Sequence, residues 1–432
     1  MSHELIYLLL IFALLVIPRA LQRFKMPAPL TCLLFGIIAM LAMGPRAHDP
    51  VVTLLATLGI SSLFLFAGLE VDPKALRRGL WPLLLHLVVR GGTLFGVGWL
   101  AWRYAGLSWQ AAGLLALALL TPSTGFIIES LGRLGLDEEE RFWVTSKAIA
   151  GELLALAALF VILQAGDPWQ MGLSSLALLA MLVGLPLLFV ALGRWVAPQA
   201  PGSEFSLLVM VGLIAAYITY SLGVYYLVGA FIAGLVARLL RQRMPLLASD
   251  ENLQAVRLFA SFFVPFYFFN AGTKVPSGAL SLQALGLGLA MTACVLPLRI
   301  GILWLQRRVL FGEGARSSLR VSLALSPTLI FTLVLAGILR DRFAIADALF
   351  GALLLYAALT TLLPALLLRM PFDVSPLETA PVAPADPTSA QVPTTPDEPL
   401  AEAPVAPAPT SPVDAPETAP RPQPGAGVSG NA

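Results

Sequence analysis

Charge is scarce in this chain. Asp, Glu, Lys and Arg make up only 12% of its 432 residues, against about 25% in ordinary soluble domains, so most of its length has no means of facing water. Cysteine and histidine are scarcer still, at two and three residues. Cys32 and Cys294 both lie in apolar runs, where they read as small hydrophobes with nothing nearby to complete a metal site. No strand followed by G-x-G-x-x-G occurs in the C-terminal stretch, so no nucleotide-binding domain is expected within it. The formal net charge of +2 is dispersed over loops and forms no basic groove, which excludes a nucleic-acid partner. No cofactor is called for.

What is abundant is apolar sequence. Hydrophobic residues make up 58% of the chain and the mean hydropathy is +0.83. A run of about 20 apolar residues spans the hydrocarbon as a helix, and such runs fill residues 1–371 almost without interruption. The expected architecture is an all-α polytopic membrane protein with about thirteen spans, near 5–17, 28–43, 51–69, 80–102, 109–131, 142–164, 170–195, 205–221, 223–240, 254–273, 280–305, 317–339 and 343–369. The first has the length of a signal peptide, but no A-x-A-like site follows it, so it is expected to be a retained helix. Arg and Lys cluster in alternate loops, among them Arg19, Arg23 and Lys25, then Lys74, Arg77 and Arg78, then Arg238, Arg241 and Arg243. The positive-inside rule places these loops in the cytoplasm, the N-terminus outside and the C-terminus inside. From about Phe372 the composition turns to Pro, Ala, Thr and acidic residues. Residues 372–432 are therefore expected to be a disordered cytoplasmic tail, or alternatively a Pro-rich docking segment.

The chain repeats itself. Phe64-Leu65-Phe66-Ala67-Gly68-Leu69-Glu70-Val71 matches Phe268-Phe269-Asn270-Ala271-Gly272-Thr273-Lys274-Val275, and Ala75-Leu76 matches Ala279-Leu280, both 204 residues on (64 to 268, 75 to 279). Leu120-Thr121-Pro122-Ser123-Thr124 matches Leu325-Ser326-Pro327-Thr328 at nearly the same spacing. The matched spans are three with ten and five with twelve. An odd separation makes the repeats inverted, as in many secondary transporters.

The second match also points to chemistry. Pro122 and Pro327 each remove a backbone donor in mid-span, and the neighbouring hydroxyls of Thr121, Ser123, Thr124, Ser326 and Thr328 can satisfy the groups set free. Two such breaks in corresponding places are expected to present helix ends and carbonyls to an ion, although an isolated break would read as an ordinary kink. Glu152 lies about ten residues into the sixth span, near mid-membrane, where a charge is costly and marks a functional candidate. A buried carboxyl favours its proton and a bound alkali cation favours the ionised form, so one site can exchange the two. The structural alternative for Glu152 is a neutral or ion-paired link between helices. Arg299 in span eleven is the expected counter-charge to Glu152, or else a staple to backbone carbonyls, and Arg90 in span four is its approximate inverted counterpart. Lys147 is expected to snorkel. Glu129 is a candidate for the cytoplasmic approach, Glu70 and Lys274 read as interfacial caps, and His86 reads as a packed histidine.

These segments together resemble the monovalent cation:proton antiporter superfamily, in its second branch of Kef-like and bacterial sodium/proton exchangers, over residues 1–370. The resemblance is carried by Phe66-Ala67-Gly68-Leu69-Glu70-Val71-Asp72, the Thr121 to Thr124 break, Gly151-Glu152-Leu153-Leu154-Ala155-Leu156, Asn270-Ala271-Gly272, Arg299 and Ala324-Leu325-Ser326-Pro327-Thr328. It implies two crossed, unwound helices in a core that slides against a dimer domain, a homodimer in a bacterial inner membrane, and exchange of Na+ or K+ for H+. The family's acidic residue in the sixth helix follows Asp, Asn or Gln, and here follows Gly151. With that second carboxylate missing and the basic position occupied by Arg299, an electroneutral exchange is expected. Sodium-coupled solute uptake, gated potassium efflux and a membrane scaffold are the alternatives at this stage.

Overall fold

The structure, a computed structural model, describes residues 3–24, 26–44, 49–71, 79–132, 134–166, 168–241 and 249–368. The expected tail and the loop residues Lys25, Lys74, Arg77, Arg78, Arg133, Arg243 and Arg369 lie outside them. Every regular element among the described residues is helical. In chain order these are α1 (His3–Leu21), α2 (Ala28–Met43), α3 (Pro50–Leu69), α4 (Leu80–Tyr104), α5a (Trp109–Leu120), α5b (Thr124–Leu131), α6 (Glu138–Gln164), α7 (Pro168–Ala191), α8 (Glu204–Ser221), α9 (Tyr226–Leu240), α10 (Asp250–Thr273), α11 (Leu282–Leu310), α12a (Ala315–Ala324), α12b (Leu329–Phe343) and α13 (Asp347–Leu367).

Helix starts are written in short polar residues. Asp49 accepts from the Val51 and Val52 amides to open α3, and Ser108, Ser249 and Ser281 open α5a, α10 and α11 in the same way. α6 begins with a reciprocal capping box between Asp137 and Glu140, which satisfies two orphan donors at once. Glu70 and Lys274 do occupy helix C-caps, of α3 and α10. Burial pushes the Glu70 carboxyl above its ordinary range, against the opposing pull of Arg238 and Arg257.

A helix or broken helix falls on each of the thirteen expected segments. Among the described residues, ten are long and apolar enough to cross a membrane, or eleven when the bent pair α12a and α12b is taken as one span. The remaining two, α2 and α9, have 16 and 15 residues, so they extend about 24 and 22 Å against about 30 Å of hydrocarbon. They are also seven segments apart, so being short is common to an inverted pair.

The packing has the same inverted character. α3 packs on α10 and α9, while α10 packs on α3 and α2. Gly68 of α3 meets Gly234 of α9 backbone to backbone, and Gly272 of α10 meets Gly36 of α2 in the same manner. A Cβ added at any of the four would collide with main-chain atoms of the facing helix, which cannot move aside as a side-chain tip can. Gly234→Ala and Gly272→Ala should each destabilise the folded protein by about 1–3 kcal/mol. Gly286→Ala and Gly301→Ala, which face open space, should leave the thermal midpoint in detergent unchanged or higher.

A second set of helices, α4, α5a and α5b, α6, α11, α12a and α12b, and α13, pack on one another around the two breaks. A small apolar cluster of Ile127, Val144, Ala148, Leu303, Val321 and Leu325 lies on one side of them.

Candidate ion-binding site

Both proline breaks interrupt their helices as expected. α5a ends at Leu120 and α5b begins at Thr124, while α12a ends at Ala324 and α12b begins at Leu329, with a bend of 45°. The unwound stretches touch directly. The Ser123 amide donates to the Pro327 carbonyl at 2.8 Å, and the Ile330 amide donates to Ser123 Oγ at 2.9 Å. Ser123 thus caps the first turn of α12b from the opposite break. Thr332 Oγ1 of α12b donates to the Ala118 carbonyl of α5a at 2.7 Å, so the two broken helices form one hydrogen-bonded unit.

The carbonyl ends of the half-helices are covered by arginine. Arg299 on α11 donates to Ser326 O at 3.0 Å, Leu325 O at 3.2 Å and Tyr356 Oη at 3.0 Å. Arg90 on α4 donates to Leu120 O. In each case the arginine comes from the helix immediately before the broken one. Tyr356 of α13 completes the arrangement by donating to Leu119 O at 2.6 Å. A cation at a helix C-terminus opposes the partial negative charge of the free carbonyls. The half-helix ends expected to face the transported ion are therefore occupied by guanidinium groups.

What is left for an ion lies on the other side of the first break. Glu152 on α6 is 3% exposed and its Oε2 has no hydrogen-bond partner. Thr124 is the side chain that interacts with this carboxyl, although its Oγ1 does not reach full hydrogen-bond geometry. Thr121 Oγ1 is likewise buried and unpartnered. Unpaired polar atoms are costly in a protein interior, and these are oxygens, the donor type that hard cations take.

The structure divides the expected site residues into two groups. Glu152, Thr121 and Thr124 offer free oxygens at the first break, and Pro122 breaks its helix. At the second break, where Pro327 interrupts the helix, Ser326 Oγ donates to Thr360 O at 3.3 Å and Thr328 Oγ1 pairs with Thr360 Oγ1 at 3.1 Å. Both hydroxyls are thus tied to α13. Arg299 takes the staple role rather than facing Glu152, and among the described residues no ion pair joins the two. The basic group beside this turn of α6 is Arg90: a Cβ placed on Gly151 would lie 3.2 Å from Arg90 Nε. Lys147 does not snorkel. It is fully buried, with Nζ 5.8 Å from the ring centre of Trp143 and 5.4 Å from that of Phe311. His86 is packed, its Nδ1 3.1 Å from Gln306 Oε1. The side chain of Glu129 lies outside the described residues.

Residues 9–372 match the family model described as the transmembrane sodium/hydrogen exchanger. The chain belongs to this family. Among relatives of this exchanger-family chain, a probable Na(+)/H(+) antiporter 3 of Methanocaldococcus jannaschii is 25% identical over 294 residues, 63% of this chain and 72% of the relative. The high-affinity Na(+)/H(+) antiporter NhaS3 of Synechocystis is 23% identical over 352 residues, 78% of this chain and 75% of the relative. The glutathione-regulated potassium-efflux system protein KefC of Salmonella schwarzengrund is 28% identical over 356 residues, 73% of this chain and 52% of KefC. The chain thus spans about half the length of KefC. Its fold is similar to that of the sodium proton antiporter MjNhaP1 from Methanocaldococcus jannaschii, with a TM-score of 0.63 at 14% identity over 85% of this chain and 96% of that one.

Several residues of this exchanger-family site escape sequence reasoning. Tyr356, Thr332 and Thr360 each lie in a strongly apolar run, where an isolated hydroxyl or a Thr pair is unremarkable in hydropathy. Their signal was present only as polar groups with an unassigned partner in mid-membrane. Arg90 was visible as the counterpart of Arg299, but without the carbonyl it covers.

Proposed function

We propose that the chain exchanges a monovalent alkali cation, Na+ or K+, for a proton by alternating access, with Glu152 carrying each in turn. The observation that carries this reading is the buried, unpartnered Glu152 Oε2 with the free hydroxyls of Thr121 and Thr124 at a helix break. A bare carboxylate in this setting is strongly disfavoured. Either a proton or a cation must neutralise it before the site is exposed to the other side, and that requirement couples the two fluxes. The threonine oxygens replace part of the cation's hydration shell, while Ser123 holds the two breaks together so that the site moves as one body. Membership of the sodium/hydrogen exchanger family and similarity to Na(+)/H(+) antiporters and to KefC support this chemistry.

One exchanging carboxylate together with arginines of fixed charge gives one cation for one proton. The proposal includes a homodimer in a bacterial inner membrane with the N-terminus outside and the C-terminus cytoplasmic, supported by the family resemblance and the loop charges. In vesicles loaded with a pH dye, Na+ or K+ pulses should move protons, and imposing a valinomycin clamp should leave the rate unchanged. A rate that follows the clamped voltage would replace electroneutral with electrogenic exchange. The double variant Thr121→Val, Thr124→Val should raise the cation concentration for half-maximal exchange about tenfold, equivalent to about 1.4 kcal/mol. Its maximal rate should change much less, because Glu152 remains.

A further inference from the structure

A second polar cleft, which the Glu152 carboxyl does not line, has a cavity volume of about 50 Å³ and is lined by residues of α4, α6, α11 and α12a, by Leu120 at the end of α5a and by Leu325 and Ser326 at the second break. α4 packs on α5a and α6, and α11 packs on α13 and α12a, so these two outer helices leave a gap that the His86–Gln306 hydrogen bond bridges. Arg90, Arg299 and Lys147 all line this cleft, and among the described residues no Asp or Glu does. Two of the three cations have donor atoms left over. Lys147 Nζ and Arg90 Nε are buried without a hydrogen-bond partner, as is Gln306 Nε2, and Lys147 and Gln306 are 0% and 4% exposed. His86 Nε2 is also unpartnered. The Ser322 hydroxyl is not free, since it donates to Ser318 O at 2.7 Å. Glu313 is within electrostatic reach of Lys147, but it forms an ion pair with Arg307.

Positive charge buried without a counter-ion is expensive, and unpaired donors add to that cost. A single anion held in the cleft relieves both. The donors are an ammonium, a guanidinium N–H and an amide on three different helices, so the ligand must offer several acceptor oxygens in different directions. We propose that this cleft binds a phosphate group, either free or carried by the headgroup of an anionic lipid, through Lys147, Arg90 and Gln306. Ammonium and guanidinium groups are both strong phosphate ligands. The lipid source is open to it because Trp81, Leu84 and Val88 of α4 and Leu305 and Val309 of α11 are exposed on the outer surface, beside the gap. The phosphate site does not use the Glu152 carboxyl, and the proposal does not rest on the exchange chemistry proposed there.

The test uses the full chain, stripped of lipid in a neutral detergent, and reads its thermal midpoint. Inorganic phosphate should raise the midpoint saturably, and sodium chloride of equal ionic strength should not. Lys147→Met and Gln306→Leu should each shift half-saturation upward about tenfold, while Lys147→Arg should keep most of the response. If Lys147→Met does not fold, Gln306→Leu carries the comparison. Pre-incubation with phosphatidylglycerol separates the sources: loss of the phosphate response identifies the headgroup as occupant, and persistence identifies the free anion. The proposal is overturned if wild type shows no saturable response to phosphate or phosphatidylglycerol, if chloride matches phosphate, or if both neutral variants respond as wild type does.

Discussion

Glu152→Gln should reduce cation-driven proton movement in reconstituted vesicles to the level of empty vesicles. The amide keeps the volume and polarity of the side chain but can neither take up a proton nor balance a cation, so both halves of the exchange are lost together. The protein itself should fold. Glu152 Oε2 has no hydrogen-bond partner to lose, and a neutral side chain avoids the cost of placing charge in the hydrocarbon, so the thermal midpoint should be unchanged or raised. Glu152→Asp separates chemistry from geometry: it should retain exchange with weaker cation affinity, because the carboxyl is drawn back from Thr124. A Gln variant that exchanges at the wild-type rate would remove Glu152 from the mechanism.

The second large effect is expected at Arg299, and its nature is different. Arg299→Met leaves the Leu325 and Ser326 carbonyls just beyond α12a without their donor and deprives Tyr356 Oη of one partner. Each buried polar group left unpaired costs about 1–3 kcal/mol, so the variant should lose several kcal/mol and melt well below the wild type. Arg299→Lys supplies one donor head in place of a fork and should recover part of the loss. Exchange should fall in proportion to folded protein, with little change in cation affinity per folded molecule. A stable Arg299→Met protein with specifically altered cation affinity would instead return Arg299 to the role of counter-charge. Arg90→Met should show the same pattern in weaker form, since its guanidinium covers one carbonyl, that of Leu120.

Much of this site could be read from the letters, and the reason is symmetry. Two Pro breaks 205 residues apart (122 to 327), and an Ala-Gly pair repeated 204 residues on (67 to 271), mark the crossing in the sequence itself. Glu152 was legible because an acid in a long apolar run has few innocent explanations. Partners were not legible. Whether Arg299 faces a carboxylate or a carbonyl depends on helix rotation of a few tens of degrees, which hydropathy does not encode. The same applies to Lys147: periodicity gives its depth, but only the positions of Trp143 and Phe311 show that it is enclosed. Gly151 is the clearest case. Next to Glu152 it looked like a missing neighbour, whereas in the fold its bare backbone leaves room for Arg90, which a Cβ there would approach to 3.2 Å. Helices α2 and α9 fall on expected segments, but at 16 and 15 residues they are shorter than a straight crossing of the hydrocarbon requires.

The most direct measurement is the apparent KM for Na+ or K+ across a pH series in sealed vesicles. If proton and cation occupy the Glu152 carboxyl in turn, lowering the pH must raise the apparent KM, approaching about tenfold per pH unit once the proton predominates. The maximal rate at saturating cation should stay constant, and Glu152→Gln should abolish the signal at every pH. An apparent KM that does not change with pH while the maximal rate falls would mean that proton and cation use separate groups, and would contradict a shared site at Glu152.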